Sequence, residues 1–591
     1  METILKDIRF AFRSLLKQPT FTLIAVLTLA LGIGANTSIF SVINGLILSP
    51  PKIADADRVV AIFKTPIDKR VEGFVSYLDL QDWRKGNQSF EDIAGYKSNS
   101  FTVLDRGEAE RLQGMRVTAN FFSLMKVNLF RGRGFQDEEE KRGAQPVVVI
   151  SYEFWQNRFG ANEATLNQQI TLNGRSHTIV GILPPGFQFP LSVRDALLWT
   201  TVSGEGQNLD ERGAQVLLAV GRLKQGILFD QAQADMANVA ANLARDYPQN
   251  SRDKTAYLVR ADEQIVGKDM RRALWILFGA VGLILLIACT NTANLLLVRA
   301  SVRQKEIAIR SALGAGSWRL ARQLITESIL LSLLSGGVGI LFAVWGIGAI
   351  KYYGAEQLPR LDEVHINTPV LIFTLVVSVL TGFVFSLVPI LKSARPDVNE
   401  VLKSGSKAAT SGASLRLWRQ SLVIAEVALS LILLVGAGLM IRSFTQLVNV
   451  PPGFDPTNVL TGRISLSGSK YQKPEERVLY LNQTLERLRA LPGVESATFV
   501  APMPFSGGNV GSDFRIEGRP QPEPGREPGA SVRSVTTQYF QSIKIPLLRG
   551  RYFAEQDQRG GLGSVIINQT LAQRYFPNED PLGKQISGIG A

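Results

Sequence analysis

Five apolar segments constrain the fold of this chain more than any other feature. Each has about 20 residues or more, which is enough to cross about 30 Å of hydrocarbon as a helix. Apolar residues make up 45% of the chain, a high share that agrees with a protein lying partly in lipid. We therefore predict transmembrane helices at residues 20–48, 273–298, 329–350, 369–391 and 421–441.

The charges that flank these segments predict their orientation. Residues 1–18 carry four basic and two acidic side chains, residues 299–323 six and one, and residues 392–419 six and two. The short loop 351–368 has two basic and three acidic residues. Because basic residues are enriched in cytoplasmic loops, the N-terminus is predicted to be cytoplasmic. Most of the net charge of +13 is then a topology signal, and no nucleic-acid partner is predicted.

This topology divides the chain into short cytoplasmic segments and two large extracytoplasmic regions. The first apolar segment is not a signal peptide, because it is too long and no small-residue cleavage site ends it. Both extracytoplasmic regions mix β-rich runs such as PVVVI (146–150) with amphipathic helical patterns. The predicted fold is an α-helical membrane protein with mixed α+β extracytoplasmic domains. Its predicted domains are the five membrane segments, a cytoplasmic N-terminal segment 1–19, extracytoplasmic domains at 49–272 and 442–591, a cytoplasmic coupling segment at 299–328 and a cytoplasmic linker at 392–420.

An internal repeat relates the two extracytoplasmic regions. The stretch VTANFFSLMKVNLFRGRGF (117–135) and the stretch VTTQYFQSIKIPLLRGRYF (535–553) share nine of 19 residues. This indicates one module of several hundred residues used twice, rather than a solenoid of short repeats. Ala591 corresponds to about Arg175 of the first copy. We therefore expect the second domain to be incomplete, as in a C-terminally truncated chain.

The loop between the second and third membrane segments carries the strongest functional pattern. Residues 303–313 favour a short helix, supported by the opposite charges of Glu306 and Arg310 at i and i+4. The sequence Gly-Ala-Gly at 314–316 ends it. A helix this short cannot bury its apolar face alone. It is therefore expected to lie on lipid headgroups or to dock into a groove of a partner. The predicted coupling residues are Lys305, Glu306, Ile307, Ile309, Arg310, Leu313, Gly314 and Gly316.

Several stretches resemble a known family. The sequence KEIAIRSALGA (305–315) resembles the loop after the second span of FtsX-like permease domains, in which a coupling helix contacts an ATP-hydrolysing subunit. Residues 75–103, 117–174 and 177–190 resemble the periplasmic core of MacB-like permeases. The stretches TLALGIGANTSIFSVING (28–45) and SARPDVNEVLKSG (393–405) are similar to duplicated orphan ABC permeases first recognised in acidobacteria.

The resemblance implies a function and a location. It implies a multi-pass protein of the inner membrane whose separate cytoplasmic ATPase drives movement of periplasmic domains, for export or for mechanical signalling across the envelope. A periplasmic partner is also compatible with it. The alternatives are an FtsX-like activator of a periplasmic hydrolase and a membrane-anchored sensor or binding protein without an ATPase.

The chain itself has no recognisable nucleotide site. A P-loop needs glycines followed by Lys and Ser or Thr to hold phosphate and magnesium, and the Gly-Lys pairs at 267–268 and 583–584 are followed by Asp and Gln. His177 and His365 are too few for a metal site, and no catalytic constellation emerges. We therefore predict no enzyme activity and no cofactor in this chain.

Polar residues inside the membrane segments form a weaker set of candidates. An ionisable or amide side chain in lipid is costly, so each either serves function or bonds a neighbouring helix. We favour helix–helix hydrogen bonds for the amides and interfacial placement for the carboxylate. Arg131 and Arg133 of the repeat are interpreted as a surface turn with local ion pairs, rather than as an anion site. The intramembrane candidates are Asn36, Asn291, Asn294 and Glu426.

Overall fold

The structure is a computed structural model of the chain. It describes residues 2–50, 53–105, 108–187, 189, 196–203, 209–302, 317–354, 358, 360–393, 411–464, 466, 471, 473–506, 510–523, 527–557 and 563–589. The chain forms two compact units. The membrane unit comprises Met1–Lys52 and Asp262–Asn449, and the sheet unit comprises Ile53–Ala261 and Val450–Ala591.

The helices and strands are numbered here in chain order. The helices are α1 (Glu2–Leu16), α2 (Pro19–Ile43), α3 (Tyr77–Gly86), α4 (Phe121–Leu124), α5 (Tyr152–Phe159), α6 (Phe229–Asp246), α7 (Pro248–Ser251), α8 (Ala261–Ile265), α9 (Lys268–Val302), α10 (Ser317–Tyr353), α11 (Thr368–Ser393), α12 (Ser411–Val448), α13 (Pro474–Arg489), α14 (Tyr539–Ser542) and α15 (Gln569–Tyr575). The strands are β1 (Val59–Pro66), β2 (Phe90–Asp105), β3 (Glu108–Val117), β4 (Arg131–Gly132), β5 (Val147–Ile150), β6 (Gln169–Leu172), β7 (Arg175–Ile182), β8 (Leu198–Thr201), β9 (Leu218–Leu223), β10 (Lys254–Arg260), β11 (Val500–Ala501), β12 (Val510–Asp513), β13 (Arg515–Ile516), β14 (Gly529–Val532), β15 (Ser534–Val535) and β16 (Ile586–Ser587).

Among the described residues, five helices of the membrane unit are long and apolar enough to cross a bilayer, which confirms the predicted fold class. Their apolar residues run around the whole helix surface, as lipid and neighbouring helices both require. Helix α2 packs against α9, α10 and α11. The candidate spans are Pro19–Leu48, Lys268–Val298, Ala321–Tyr353, Thr368–Ser386 and Gln420–Val448.

Glycines let α2 and α10 approach closely. A Cβ built on Gly34 would lie 2.8 Å from the Gly339 carbonyl oxygen and 2.8 Å from Phe342 Cβ. Small residues at such crossings are the usual way for transmembrane helices to gain van der Waals contact. The glycine pattern of the first apolar segment therefore determines which face of α2 meets α10.

The sheet unit is built around one mixed sheet of ten strands. Its order is β10-β1-β9-β2-β3-β8-β5-β7-β4, with β6 paired to β2 and β7. The β3–β8 and β5–β7 pairs are parallel and the other pairs are antiparallel. Helices α3 and α6 cover one part of the sheet through Trp83 and Met236, while α5 covers another through Trp155. Ser76 and Ser151 cap α3 and α5 with their side-chain oxygens.

The two copies of the repeat share local structure as well as sequence. Helices α4 and α14 occupy equivalent positions, and each is followed by a lysine at positive φ, Lys126 at 52° and Lys544 at 55°. Each lysine pairs with an aspartate, Asp55 at 2.6 Å and Asp455 at 2.8 Å. A non-glycine residue rarely adopts positive φ, so this shared feature supports an inherited duplication.

The arginines of the repeat are exposed and pair with carboxylates, which confirms their interpretation as surface ion pairs. Arg131, however, lies on strand β4 rather than on a turn, and its partner Glu163 is distant in the sequence. Pairs so exposed contribute little stability, roughly 0–1 kcal/mol each. The pairs are Arg131–Glu163 at 2.5 Å, Arg133–Glu139 at 2.6 Å, Arg549–Asp580 at 3.0 Å and Arg551–Asp557 at 2.6 Å.

Candidate functional site

The predicted coupling residues lie outside the part of the chain that the structure describes. Helix α9 is described to Val302 and α10 from Ser317, so the segment 303–316 joins two membrane helices directly. The prediction for this segment therefore stays a prediction. It concerns Lys305, Glu306, Ile307, Ile309, Arg310, Leu313, Gly314 and Gly316.

Helix α1 is anchored on the first turns of α10, which follow the segment 303–316. Arg322 Nε donates to Asp7 Oδ2 at 2.8 Å. Leu15, Ala25 and Leu331 form a shared apolar cluster between α1, α2 and α10. Sequence reasoning treated residues 1–19 only as a cytoplasmic segment and missed this helix. The sequence signal that could have revealed α1 is the helical spacing of the apolar residues in this segment.

The opposite face of α1 is apolar and exposed. Ile8, Phe12 and Leu16, spaced four residues apart, are 43%, 50% and 65% exposed. An amphipathic helix with such a face next to a membrane span is typical of a helix that lies in the bilayer interface. Helix α1 is therefore suited to hold the start of α10 at the membrane surface.

Three consecutive residues of α2 form hydrogen bonds to three different helices. Asn36 Nδ2 donates to the Val281 carbonyl oxygen of α9 at 2.8 Å. Thr37 Oγ1 lies 3.0 Å from Thr374 Oγ1 of α11. Ser38 Oγ lies 3.4 Å from the Ala343 carbonyl oxygen of α10. Successive residues of a helix point about 100° apart, so we call Asn36–Thr37–Ser38 the polar joint, at which α2 is tied to its neighbours.

The other predicted intramembrane residues lie away from this joint. Asn291 is ten residues beyond Val281 on α9, about 15 Å along a helix that rises about 1.5 Å per residue. No donor among the described residues reaches the buried Oδ1 of Asn294. Glu426 is partly buried on α12. The structure therefore gives Asn36 a helix–helix role and does not bring Asn291, Asn294 and Glu426 together with it.

A buried arginine ties the loop between α10 and α11 to the outer end of the first span. The Arg360 side chain is 2% exposed and donates through Nη1 and Nη2 to the carbonyl oxygens of Ser49 and Pro50, at 3.3 and 3.1 Å. Its Nε donates to Glu363 at 3.1 Å. Sequence reasoning missed Arg360. A lone arginine in a short loop with three acidic residues was the available signal.

Below this arginine, Gly45 allows close contact between the same loop and α2. A Cβ on Gly45 would lie 3.1 Å from Val364 Cγ2, and Val364 is fully buried. Residues 49–50 lead directly into the sheet unit along the chain. The Arg360 clamp, which we define as Arg360 with its acceptors on Ser49, Pro50 and Glu363, therefore fixes the point where the first span ends.

A comparison with family models identifies the domains. The model described as "MacB-like periplasmic core domain" matches residues 22–239 and 421–589, well over half of the chain. The chain belongs to this family. The model described as "FtsX-like permease C-terminal" matches residues 278–398, which include α10, α11 and most of α9. The chain thus has the domains of a permease subunit of an ABC system, and the first model matches both copies of the repeat.

Curated relatives agree with this assignment. The chain is 23% identical over 418 residues to "Uncharacterized ABC transporter permease YknZ" of Bacillus subtilis, covering 68% of this chain and 99% of that protein. It is 24% identical over 290 residues to "Probable export ATP-binding/permease protein MacB" of Pseudomonas entomophila, covering 48% of this chain and 41% of that protein. The chain thus spans less than half of the length of that MacB relative.

Two solved structures match part of the chain. The periplasmic region of MacB from Actinobacillus actinomycetemcomitans matches with 14% identity and a TM-score of 0.28, covering 38% of this chain and 95% of that chain. The extracellular domain of the YknZ transporter from Gram-positive bacteria matches with 14% identity and a TM-score of 0.26.

Proposed function

We propose that this MacB-like permease transmits force rather than performing chemistry. In this proposal a separate cytoplasmic ATPase docks on the segment 303–316, and its nucleotide-driven movement reaches the sheet unit through the membrane helices. The protein lies in the inner membrane with its N-terminus in the cytoplasm and its sheet unit in the periplasm. The work done there is export or mechanical signalling to a periplasmic partner.

The observation that carries this proposal is that α2 is hydrogen-bonded to its neighbours in two places, at the polar joint and at its outer end. At the polar joint α2 is hydrogen-bonded to α9, α10 and α11, which includes both helices that flank the coupling segment. At the outer end the Arg360 clamp holds residues 49–50. In lipid no water is present to replace a broken hydrogen bond. These attachments therefore favour movement of α2, α9, α10 and α11 together.

The sheet unit is attached to this helix group by two chain crossings. One follows α2 at residue 50 and the other precedes α9, where Arg271 lies 3.4 Å from Asp262 Oδ2. A tilt of α2 and α9 would therefore act on both ends of the segment that forms the ten-stranded sheet. This supports transmission by rigid helices without any solute passing between them.

Docking of the ATPase depends on the apolar positions of the coupling segment. Ile307, Ile309 and Leu313 are proposed to insert into a groove of the ATPase, and Lys305, Glu306 and Arg310 to form polar contacts around it. Such helix-in-groove contacts derive most of their affinity from a few apolar anchors. Glycines at 314 and 316 end the helix and let α10 begin.

The test is complex formation by Ile309→Asp, with Ile309→Leu as the matched control. The full chain is co-purified with its candidate ATPase, and stimulation of ATP hydrolysis by the permease is measured in vesicles. A buried aspartate in the groove should abolish stimulation and reduce recovery of the complex at least tenfold, since burying even a neutral polar group without a hydrogen bond costs roughly 2–7 kcal/mol and burying an unpaired charge costs more. Leucine should leave both unchanged. Normal stimulation by Ile309→Asp would refute docking at this segment.

A further inference from the structure

The sheet unit contains a cavity with a cationic wall. Its volume is about 1020 Å³, and its lining includes Arg116 on β3, Arg175 and His177 on β7, and Thr200 on β8. Cavities of roughly 300–1,000 Å³ are the usual size for sites that bind organic molecules. The hydrogen bonds of the polar groups on this wall distinguish a structural role from ligand binding.

Strand register explains why Arg116 and Thr200 face the cavity together. Strands β3 and β8 are parallel, and Arg116 is directly opposite Thr200. The preceding residues, Met115 and Trp199, are also paired and are buried in the core on the other face. Side chains alternate along a strand, so packing of Met115 and Trp199 turns Arg116 and Thr200 toward the cavity.

Neither of these two residues has its hydrogen-bonding capacity met within the described chain. Thr200 is 4% exposed, and its buried Oγ1 has no partner there. The Nε and Nη1 atoms of Arg116 are likewise buried with no acceptor among the described residues. Buried polar groups in native proteins are nearly always paired, so a hydroxyl and a guanidinium side by side without partners indicate a missing acceptor.

The electrostatic surroundings point to an anion as that acceptor. Lys97 on β2 is opposite Arg116, and burial together with the charge of Arg116 lowers the pKa of Lys97. Burial and the charges of Arg116 and Arg175 lower the pKa of His177. Glu139 also lines the cavity but forms an ion pair with Arg133. Arg116 and Arg175 therefore place positive charge on this wall, and leaving the buried nitrogens of Arg116 without an acceptor is costly.

Apolar groups line the cavity next to the arginine. The guanidinium carbon of Arg116 lies 5.9 Å from the centre of the Phe101 ring. A Cβ on Gly114 would lie 2.7 Å from that ring, so the glycine makes room for Phe101 across β3. Val147 and Leu172 add further apolar lining. A ligand here would meet a charged end and an apolar wall.

We infer that this cavity binds an organic oxyanion, a phosphate monoester or a carboxylate attached to an apolar body. Arg116 and Thr200 donate to the oxyanion, His177 lies beside it, and Phe101 and Leu172 contact the apolar body. This binding site goes beyond the proposed force transmission, because it requires neither the ATPase nor the coupling segment.

The test is direct binding to the full chain purified in an uncharged detergent. Hexyl phosphate, hexanoate and hexanol are titrated by calorimetry, with inorganic phosphate as a fourth probe. Hexyl phosphate or hexanoate should bind, and hexanol should not, because it lacks the oxyanion. Inorganic phosphate should bind at least about tenfold more weakly than hexyl phosphate, since burial of the apolar chain adds to the affinity.

Two variants and one control locate the site. Arg116→Gln should weaken binding about tenfold or more, because a hydrogen bond to a charged group is lost. Thr200→Val keeps the shape of the side chain and should weaken binding about threefold to tenfold without lowering the Tm, since its hydroxyl has no partner to lose among the described residues. Arg111→Gln, an exposed position on the opposite face of β3, should bind as the parent does.

Several results would overturn this inference. They are no binding of either organic anion, binding of hexanol as tight as that of hexyl phosphate, or inorganic phosphate binding as tightly as hexyl phosphate. Unchanged affinity in Thr200→Val would remove the assigned donor, even where Arg116→Gln fails to fold. A loss of affinity in Arg111→Gln equal to that in Arg116→Gln would show a non-specific charge effect.

Discussion

At the scale of single residues, burial decides which charged pairs matter. Asp79 is fully buried and accepts from Lys64 Nζ at 2.6 Å and from Arg212 Nη1 at 2.7 Å. Burial lowers the pKa of Lys64, although the charge of Asp79 opposes that effect. Arg212 also stacks on Tyr247, with its guanidinium carbon 3.5 Å from the ring centre. Asp79 therefore joins β1, α3 and the chain before β9.

Replacing Asp79 by Ala should destabilise the sheet unit strongly. The change leaves a buried lysine without its counter-charge, which typically costs about 3–5 kcal/mol. The expected result is a Tm lower by several degrees, measured by the intrinsic fluorescence of the tryptophans in the full chain.

The matched control for that prediction is Asp210→Ala. Asp210 also pairs with an arginine, Arg142 at 2.8 Å, but both side chains are about 70% exposed. Exposed pairs contribute about 0–1 kcal/mol, so the Tm should hardly change. Equal effects of the two substitutions would show that burial of Asp79 is not the cause.

At the scale of helices and strands, the same sequence pattern has different surroundings in the two copies. The first span has Gly32 and Gly34 and the fifth has Gly436 and Gly438. In α2, a Cβ on Gly34 would contact α10 at 2.8 Å, whereas a Cβ on Gly438 would meet no atom within 4 Å. The glycine pattern is therefore a packing feature in α2, while the corresponding face of α12 is open among the described residues.

Gly34→Val should loosen the contact between α2 and α10, whereas Gly438→Val should not disturb packing. Forcing a branched side chain into a filled helix crossing costs about 1–3 kcal/mol. The two substitutions share the same change in helix propensity, so the difference in Tm between the purified variants isolates the packing effect. A Tm for Gly438→Val that falls as far as that for Gly34→Val would contradict the assigned role of Gly34.

At the scale of the whole molecule, charge and hydropathy predict how the chain crosses the membrane. The basic segments 1–18, 299–323 and 392–419 alternate with regions of more balanced charge, and the positive-inside tendency predicts a cytoplasmic location for them. The chain passes between the membrane unit and the sheet unit three times, at residues 52–53, 261–262 and 449–450. The proposed force transmission requires this orientation.

Cysteine labelling tests the orientation, because Cys289 is the single cysteine of the sequence. In a Cys289→Ser background, Lys85→Cys on α3 and Lys17→Cys after α1 are exposed sites. A membrane-impermeant maleimide should label Lys85→Cys in intact spheroplasts and label Lys17→Cys only after permeabilisation. The reverse pattern would place the sheet unit in the cytoplasm and rule out the proposed topology.

Local patterns in the sequence predicted a large part of this architecture. Length and hydropathy indicated five membrane helices, the 19-residue repeat indicated the duplication, and the RGR arginines were recognised as surface ion pairs. Each of these depends on neighbours along the chain or on the solvent preference of one segment. The family match to both copies agrees with the same features.

Contacts between distant residues could not be predicted in the same way. The polar joint pairs Asn36 with Val281 and Thr37 with Thr374, and the Arg360 clamp pairs residues more than 300 positions apart. Many intramembrane amides and hydroxyls could form a hydrogen bond to a neighbouring helix, and composition does not distinguish between them. The sequence therefore identified Asn36 as a candidate but not its partner.

The sequence by itself determined the membrane class, the number of spans, the repeat and the missing nucleotide motif, because each depends on composition and spacing along the chain. Only the tertiary structure decided where Arg116 and Thr200 meet. Their pairing requires β3 to lie parallel to β8, and the sequence separation of 84 residues carries no record of that register. Burial leaves this arginine and this threonine with donors that have no acceptor among the described residues, which is the physical basis of the proposed anion site.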